Sequence, residues 1–258
     1  MKLAIHSQLD YHFPAPTDVL LQIEAAAIPE QQIETAWIDI SPVEHFARVP
    51  AQDTIGDRIW LRVQGDLRVD YTSTVSIERI TTDISNLAAV PPHQLPGETV
   101  PYLLPSRYCA SDGFQNLATD EFGDLQGGER IMAISEWIGK HIEYTPNSSH
   151  SGTDALETYV MRQGVCRDFA HVMIALARAS TIPARFASVY GIGVEPQDFH
   201  AVAEVFLDGA WHLVDATGMS KAGEMAKIGV GRDAADVSFL TSFGPAILNN
   251  QSVEVSAA

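Results

Sequence analysis

The sequence predicts an α+β protein: a small all-β lead followed by a core in which a cysteine-bearing helix packs on an antiparallel sheet. Three observations predict it. Residues 1–85 hold short, alternating apolar runs with no helical period of any length. Three segments between 128 and 180 space their apolar residues i, i+3, i+4. Strand patterns resume after Pro183, and two of them are joined by Asp208-Gly209, the strongest short-range hairpin signal. The division expected is a β-rich N-terminal domain over residues 1–85, a Pro-rich linker or covering segment over 86–110, and a mixed core over 111–258.

The elements follow in order. "VLLQIEAA", "QIETAWIDI", "HFARVPA" and "RIWLRVQGDLRVDYTSTVSIE" read as strands broken by Pro, Gly or Asp. Ile59, Leu61 and Val63 share one face of the last, and Trp60 and Arg62 the other. Pro91, Pro92, Pro96, Pro101 and Pro105 forbid regular structure through most of the next segment. "GERIMAISEWIGKHIEY" gathers Ile131, Ile134, Trp137, Ile138 and Ile142 near one helix face. "TDALETYVMRQG" offers Thr153 or Asp154 as N-cap and Gly164 as the stop. "GVCRDFAHVMIALARAS" is apolar almost all round, which predicts a central helix ended by Pro183. "PARFASVYGIGV", "FHAVAEVFL" and "AWHLVDAT" return to strand, and the tail beyond Gly231 reads as loop followed by one or two more strands.

Composition excludes several functions. The 258 residues carry 33 acidic against 16 basic side chains, a formal charge of −17. Such a surface repels phosphate backbones and anionic lipid, so neither nucleic acid nor a membrane surface is an expected partner. Two cysteines cannot build a disulfide framework. The apolar run near the N-terminus is too short for a signal segment, and no run approaches the ~18 residues of a membrane span. The expectation is a cytoplasmic protein acting on peptide or protein, with its oligomeric state left open.

One of the two cysteines, Cys166, falls at the first position of the central helix, where peptide dipoles favour a thiolate. The hairpin register supplies partners. A two-residue turn at Asp208-Gly209 sets Leu207 opposite Ala210, Glu204 opposite Leu213, Val202 opposite Asp215 and His200 opposite Thr217. His200 and Asp215 then share one side of the sheet as diagonal neighbours within about 7–8 Å; a one-residue slip would separate them. A carboxylate beside an imidazole fixes its tautomer and leaves the other nitrogen free to take a proton. Cys166, His200 and Asp215 thus read as nucleophile, base and orienting acid. Helix terminus and imidazolium together suffice to bring a thiol from ~8.5 to below neutrality. Asp168, about 200° round the helix from Cys166, is expected to favour the helix terminus. His171 is expected to be a buried, hydrogen-bonded histidine, and Cys109 a spare thiol. Arg107, Tyr108 and Glu204 are candidate substrate-binding residues.

With "GVCRDFAH", "HAVAEVF" and "WHLVDAT" in that order, the sequence resembles the transglutaminase-like superfamily of papain-related thiol enzymes, in its bacterial form. "YLLPSRYCASD" and "GRDAADV" resemble flanking segments, and the likeness covers about residues 100–240. "DTIGDR" is a weaker echo of the β region that often precedes these cores. The resemblance implies the same three roles for Cys166, His200 and Asp215, and a papain/transglutaminase-like core. Two positions depart from the pattern: Val202 stands where the family often has Trp, and Ala216 where it has Pro.

The activity expected is thiol-dependent acyl transfer on peptide or glutaminyl amides through a Cys166 thioester, with hydrolysis favoured over amine cross-linking. The alternatives are a transglutaminase and a catalytically silent binding module of the same fold. Nothing in the sequence demands a metal or organic cofactor. Zinc on Cys166, His200 and Asp215 would suit the residue types but lacks a close-spaced ligand pair.

Overall fold

The structure is a computed structural model that describes residues 1–258. Twelve strands run in chain order: β1 (Lys2–Leu21), β2 (Gln31–Ile40), β3 (His45–Pro50), β4 (Asp57–Ile77), β5 (Glu143–Tyr144), β6 (Gln163–Gly164), β7 (Ala184–Gly191), β8 (His200–Leu207), β9 (Ala210–Val214), β10 (Met225–Gly231), β11 (Leu240–Ser242) and β12 (Ile247–Ala257). Four α-helices lie between β4 and β7: α1 (Gln115–Phe122), α2 (Gly127–His141), α3 (Ala155–Met161) and α4 (Cys166–Ala179). No helix is long and apolar enough to cross a membrane.

The N-terminal strands form an antiparallel sheet because their side chains alternate between apolar and polar. Along β1, Leu3, Ile5, Leu9, Tyr11 and Phe13 are buried, whereas His6, Asp10 and His12 point outward. β4 pairs with β1 over nearly the full length of both, from Lys2 opposite Ser76 to Leu21 opposite Ile59. The strand character of β1 therefore begins at Lys2, earlier than the sequence reading placed it. The apolar face of this sheet packs on Tyr190, Ala226 and Ile228 of the second sheet and on Phe199 just before β8, so the two sheets share one core.

The second sheet is antiparallel, with strand order β10-β7-β8-β9. Ala201, Ala203, Val205 and Leu207 of β8 join α4 in the largest apolar cluster. Every residue of α4 from Asp168 to Arg178 is buried, as its all-round apolar sequence requires. Buried Arg178 donates to the carbonyls of Ala184, Leu104 and Arg232, which ties the Pro-rich segment to the core. That segment holds only short 3-10 turns, as its prolines dictate.

Two expectations are corrected, and one strand is added. The tail does not stay with residues 111–239: β12 pairs with β1 from Leu3 opposite Ala257 to His12 opposite Ile247, and β11 pairs with the end of β1. The edge of β1 that β4 leaves free is thereby paired by β12 and β11. Helix α3 ends at Met161 through left-handed Arg162 (φ 58°), not at Gly164, which belongs to β6. β10 was not foreseen; Ala226, Ile228 and Val230 alternate there, but three other small or polar positions mask the pattern.

Candidate active site

The site begins with the start of α4. Val165 is extended (φ −111°, ψ −179°), and Cys166 is the first helical residue. Asp168, fully buried, turns back: its Oδ2 accepts the Val165 N–H at 2.9 Å and its Oδ1 accepts from Arg167 Nη2 at 3.0 Å. This is the local reason the helix starts where it does. Gly164 is required just before it, because a Cβ there would lie 2.8 Å from Asp168 Cβ. Cys166 is held half-buried at the helix end, and it is free, as is Cys109.

His200 is the first residue of β8, and its Nε2 lies 2.9 Å from Asp215 Oδ2. Asp215 follows directly on β9 and opens a turn closed by the Gly218 N–H on its carbonyl. Its carboxylate is fully engaged. Oδ1 accepts from Thr217 N (2.9 Å) and Thr217 Oγ1 (2.6 Å), and Oδ2 accepts from Ser220 N (3.0 Å) as well as from the ring. The hairpin register matches expectation from Leu207 opposite Ala210 to Ala203 opposite Val214. The further pairs, Val202 with Asp215 and His200 with Thr217, do not form, because Asp215 leaves the ladder to cap its own turn. The carboxylate nonetheless reaches the imidazole.

Donation from Nε2 to Asp215 leaves Nδ1 as the nitrogen available to a thiol. Nδ1 is buried with no hydrogen-bond partner. Burial alone would depress the imidazole, but the hydrogen bond to Asp215 and the interaction with Cys166 outweigh it and raise His200 to about 9. Burial likewise opposes the Asp215 charge, and the His200 hydrogen bond reverses this to hold the carboxyl below its ordinary value. Cys166 and His200 line one cleft of about 290 Å³, together with Tyr108. No three His, Cys, Asp or Glu side chains converge as metal ligands; Asp215 has spent its oxygens on the far side of the ring.

The remaining candidates divide. Tyr108 is in the cleft wall, fixed by its hydroxyl donating to Ser151 O at 2.8 Å. Arg107 is exposed, with its guanidinium 5.0 Å from the centre of the Tyr108 ring, and is not part of the wall. Glu204 does not line the cleft. It lies four residues along β8 from His200, buried and bound to Arg185 Nε at 2.7 Å and Lys227 Nζ at 2.6 Å. His171 accepts from Ala234 N at 3.2 Å, and burial drives it down to about 3, so it is neutral. Cys109 is wholly buried, which pushes its thiol up to about 12. Sequence reasoning missed Asp198, Phe199 and Phe239 in the cleft wall. The first two directly precede His200 and were within reach; Phe239 arrives from the tail loop, and no local signal announces it. It also missed Tyr144, whose phenol is raised to about 12 by burial and by the nearby Cys166.

Comparison with known proteins fits this arrangement. A sequence profile of the transglutaminase-like superfamily matches residues 115–216. The crystal structure of a candidate cysteine protease from Cytophaga hutchinsonii is 35% identical, with a TM-score of 0.92 over 100% of this chain and 90% of that one. The chain belongs to the transglutaminase-like superfamily. An uncharacterized curated protein of Mycobacterium leprae is 27% identical over 117 residues, 42% of this transglutaminase-like chain and 42% of that protein, so less than half of the relative's length is matched. The periplasmic domain of TgpA from Pseudomonas aeruginosa is 19% identical with a TM-score of 0.43, over 82% of this chain and 76% of that domain.

Proposed function

We propose that the protein is a thiol amidase or peptidase that transfers an acyl group from a peptide or glutaminyl amide to water through a Cys166 thioester. The observation that carries the reading is one imidazole with its Nε2 bound to Asp215 and its Nδ1 buried, unpartnered and in the same cleft as Cys166. His200 Nδ1 takes the Cys166 proton, and the sulfur attacks the amide carbonyl. In the first turn of α4 the N–H groups of Asp168 and Phe169 are bound to the Val165 carbonyl, which leaves those of Cys166 and Arg167 as the natural donors to the oxyanion. Collapse of the tetrahedral intermediate breaks the C–N bond, and His200 returns its proton to the departing amine. Water, deprotonated by the same ring, then releases the acid and restores the thiol. Hydrolysis is favoured over aminolysis because water needs no second binding site, and the Cytophaga relative's description as a candidate cysteine protease supports it.

The test incubates wild type and Cys166→Ala with a glutaminyl peptide, with and without a labelled primary amine. Ammonia release or peptide cleavage by wild type alone is the expected result. Amine incorporation would replace hydrolysis by cross-linking, and turnover retained in Cys166→Ala, or absent from both proteins, would overturn the assignment.

A further inference from the structure

The cleft beside Cys166 is asymmetric in chemistry. One wall is apolar: Phe199 and Phe239 stack with centroids 4.8 Å apart and planes 8° from parallel, and Leu240 continues the surface. Phe239 and Leu240 are only half-buried, so part of this apolar surface faces the cleft. At the rim stands Asp198, exposed and in no ion pair. Its Oδ1 accepts from Phe199 N at 2.7 Å and Gln251 Nε2 at 2.6 Å, which fixes the carboxylate, while Oδ2 has no partner. Of the two cations in the wall, the His200 ring is paired with Asp215 at 2.9 Å, and Arg167 is tied down by Asp168 and by the His150 carbonyl at 2.8 Å. The cleft therefore offers a fixed acceptor to a positive group, and to a negative one only cations already paired with a carboxylate, in a molecule of net charge −17.

We propose that this wall and this carboxylate form the acyl-side binding site, with a bulky apolar or aromatic side chain against Phe199, Phe239 and Leu240 and a cationic group of the same peptide against Asp198. The inference rests on the acyl-transfer reading and adds the substrate's chemistry to it. A site of about 290 Å³ adjoining the sulfur holds the acyl part while water approaches the thioester, so its shape acts on both halves of the reaction. Selectivity for the apolar side chain should be the larger effect, because an extra buried methylene alone is worth roughly tenfold or more. The Asp198 contact is solvent-exposed and therefore smaller and screened by salt.

Peptidyl vinyl sulfones, which alkylate an activated thiol, test this on the intact chain. Three probes are compared by their rates of labelling at Cys166: one with Phe beside the warhead and Lys next to it, one with Ala in place of Phe, and one with Glu in place of Lys. The Phe–Lys probe should label at least about tenfold faster than the Ala–Lys probe. It should label about two- to fivefold faster than the Phe–Glu probe at low ionic strength, and the latter margin should shrink in salt. Phe239→Ala should erase most of the first margin and keep the second; Asp198→Asn should do the reverse. Equal labelling by all three probes would overturn the specificity while leaving the thiol chemistry intact, and failure of every probe to label Cys166 would bring down both readings.

Discussion

His200 shows how two weak sequence cues become a site. Neither a histidine opening a strand nor an aspartate closing one signals chemistry alone, yet a two-residue turn brings them to 2.9 Å. The raised value of about 9 follows from this pair and from Cys166, against the opposing pull of burial. The ring is then protonated at neutral pH and can donate its proton to the departing amine. Activity should accordingly fall as pH rises through about 9. A raised histidine also contributes stability that is complete below its unfolded value near 6.5 and lost as pH passes about 9. Asp215→Asn keeps an acceptor oxygen but removes the charge, so the alkaline limb of kcat/KM should move down by roughly one unit or more, and kcat should fall. An unmoved limb would show that Asp215 does not act through the ring. A simpler measurement concerns the two thiols: iodoacetamide should modify Cys166 well before Cys109, which is wholly buried and held protonated to about 12.

At the scale of the element, the decisive piece is the entry to α4. "GVCRD" was legible as a helix start with the thiol at its first position, and the structure keeps it so. What the letters did not disclose is how tightly the entry is built. Asp168 fits only because position 164 has no side chain, and Gly164 was read instead as the end of the preceding helix. The hairpin was equally legible until Asp215, where the carboxylate's own turn overrode ladder pairing; a local hydrogen-bond alternative beat the register. Gly164→Ala should cost about 1–3 kcal/mol through overpacking against Asp168, seen as a lower Tm. It should also lower kcat by about tenfold or more, because the sulfur moves with the cap. Gly97→Ala is the control: a Cβ there meets nothing within 4 Å, and neither quantity should change. Equal behaviour of the two variants would mean that the cap does not position the thiol.

The whole molecule is where the sequence said least. Pairing of residues 3–12 with 247–257 leaves no local trace, since each strand's own pattern fits any edge it could join. The same holds for the charges that link the two sheets. Glu204 shares the His200 side of the sheet and so reads as a cleft residue, yet it sits between Arg185 and Lys227; Arg185 also reaches Asp53 at 2.9 Å, and Lys227 reaches Glu30, which Arg79 holds at 3.0 Å. Three cations and three carboxylates balance in a largely buried space, and β7, β8 and β10 are thereby joined to the N-terminal sheet. Burial opposes the charges of Glu204 and Glu30, but Lys227 and the neighbouring arginines overcome it. Glu204 is held below 4.5 and Glu30 is lowered to about 2. Glu204→Gln leaves both cations short of a counter-charge, and breaking a buried pair from one side costs about 3–5 kcal/mol, so Tm at neutral pH should drop by roughly 10 °C. Because the carboxyl is depressed in the folded state, its contribution exists above the ordinary value of 4.5 and disappears as pH falls further. The stability gap between wild type and Glu204→Gln should therefore close as urea titrations are carried from pH 6 downward through the acid range. A gap that stays constant with pH would mean that Glu204 acts there by shape and not by charge.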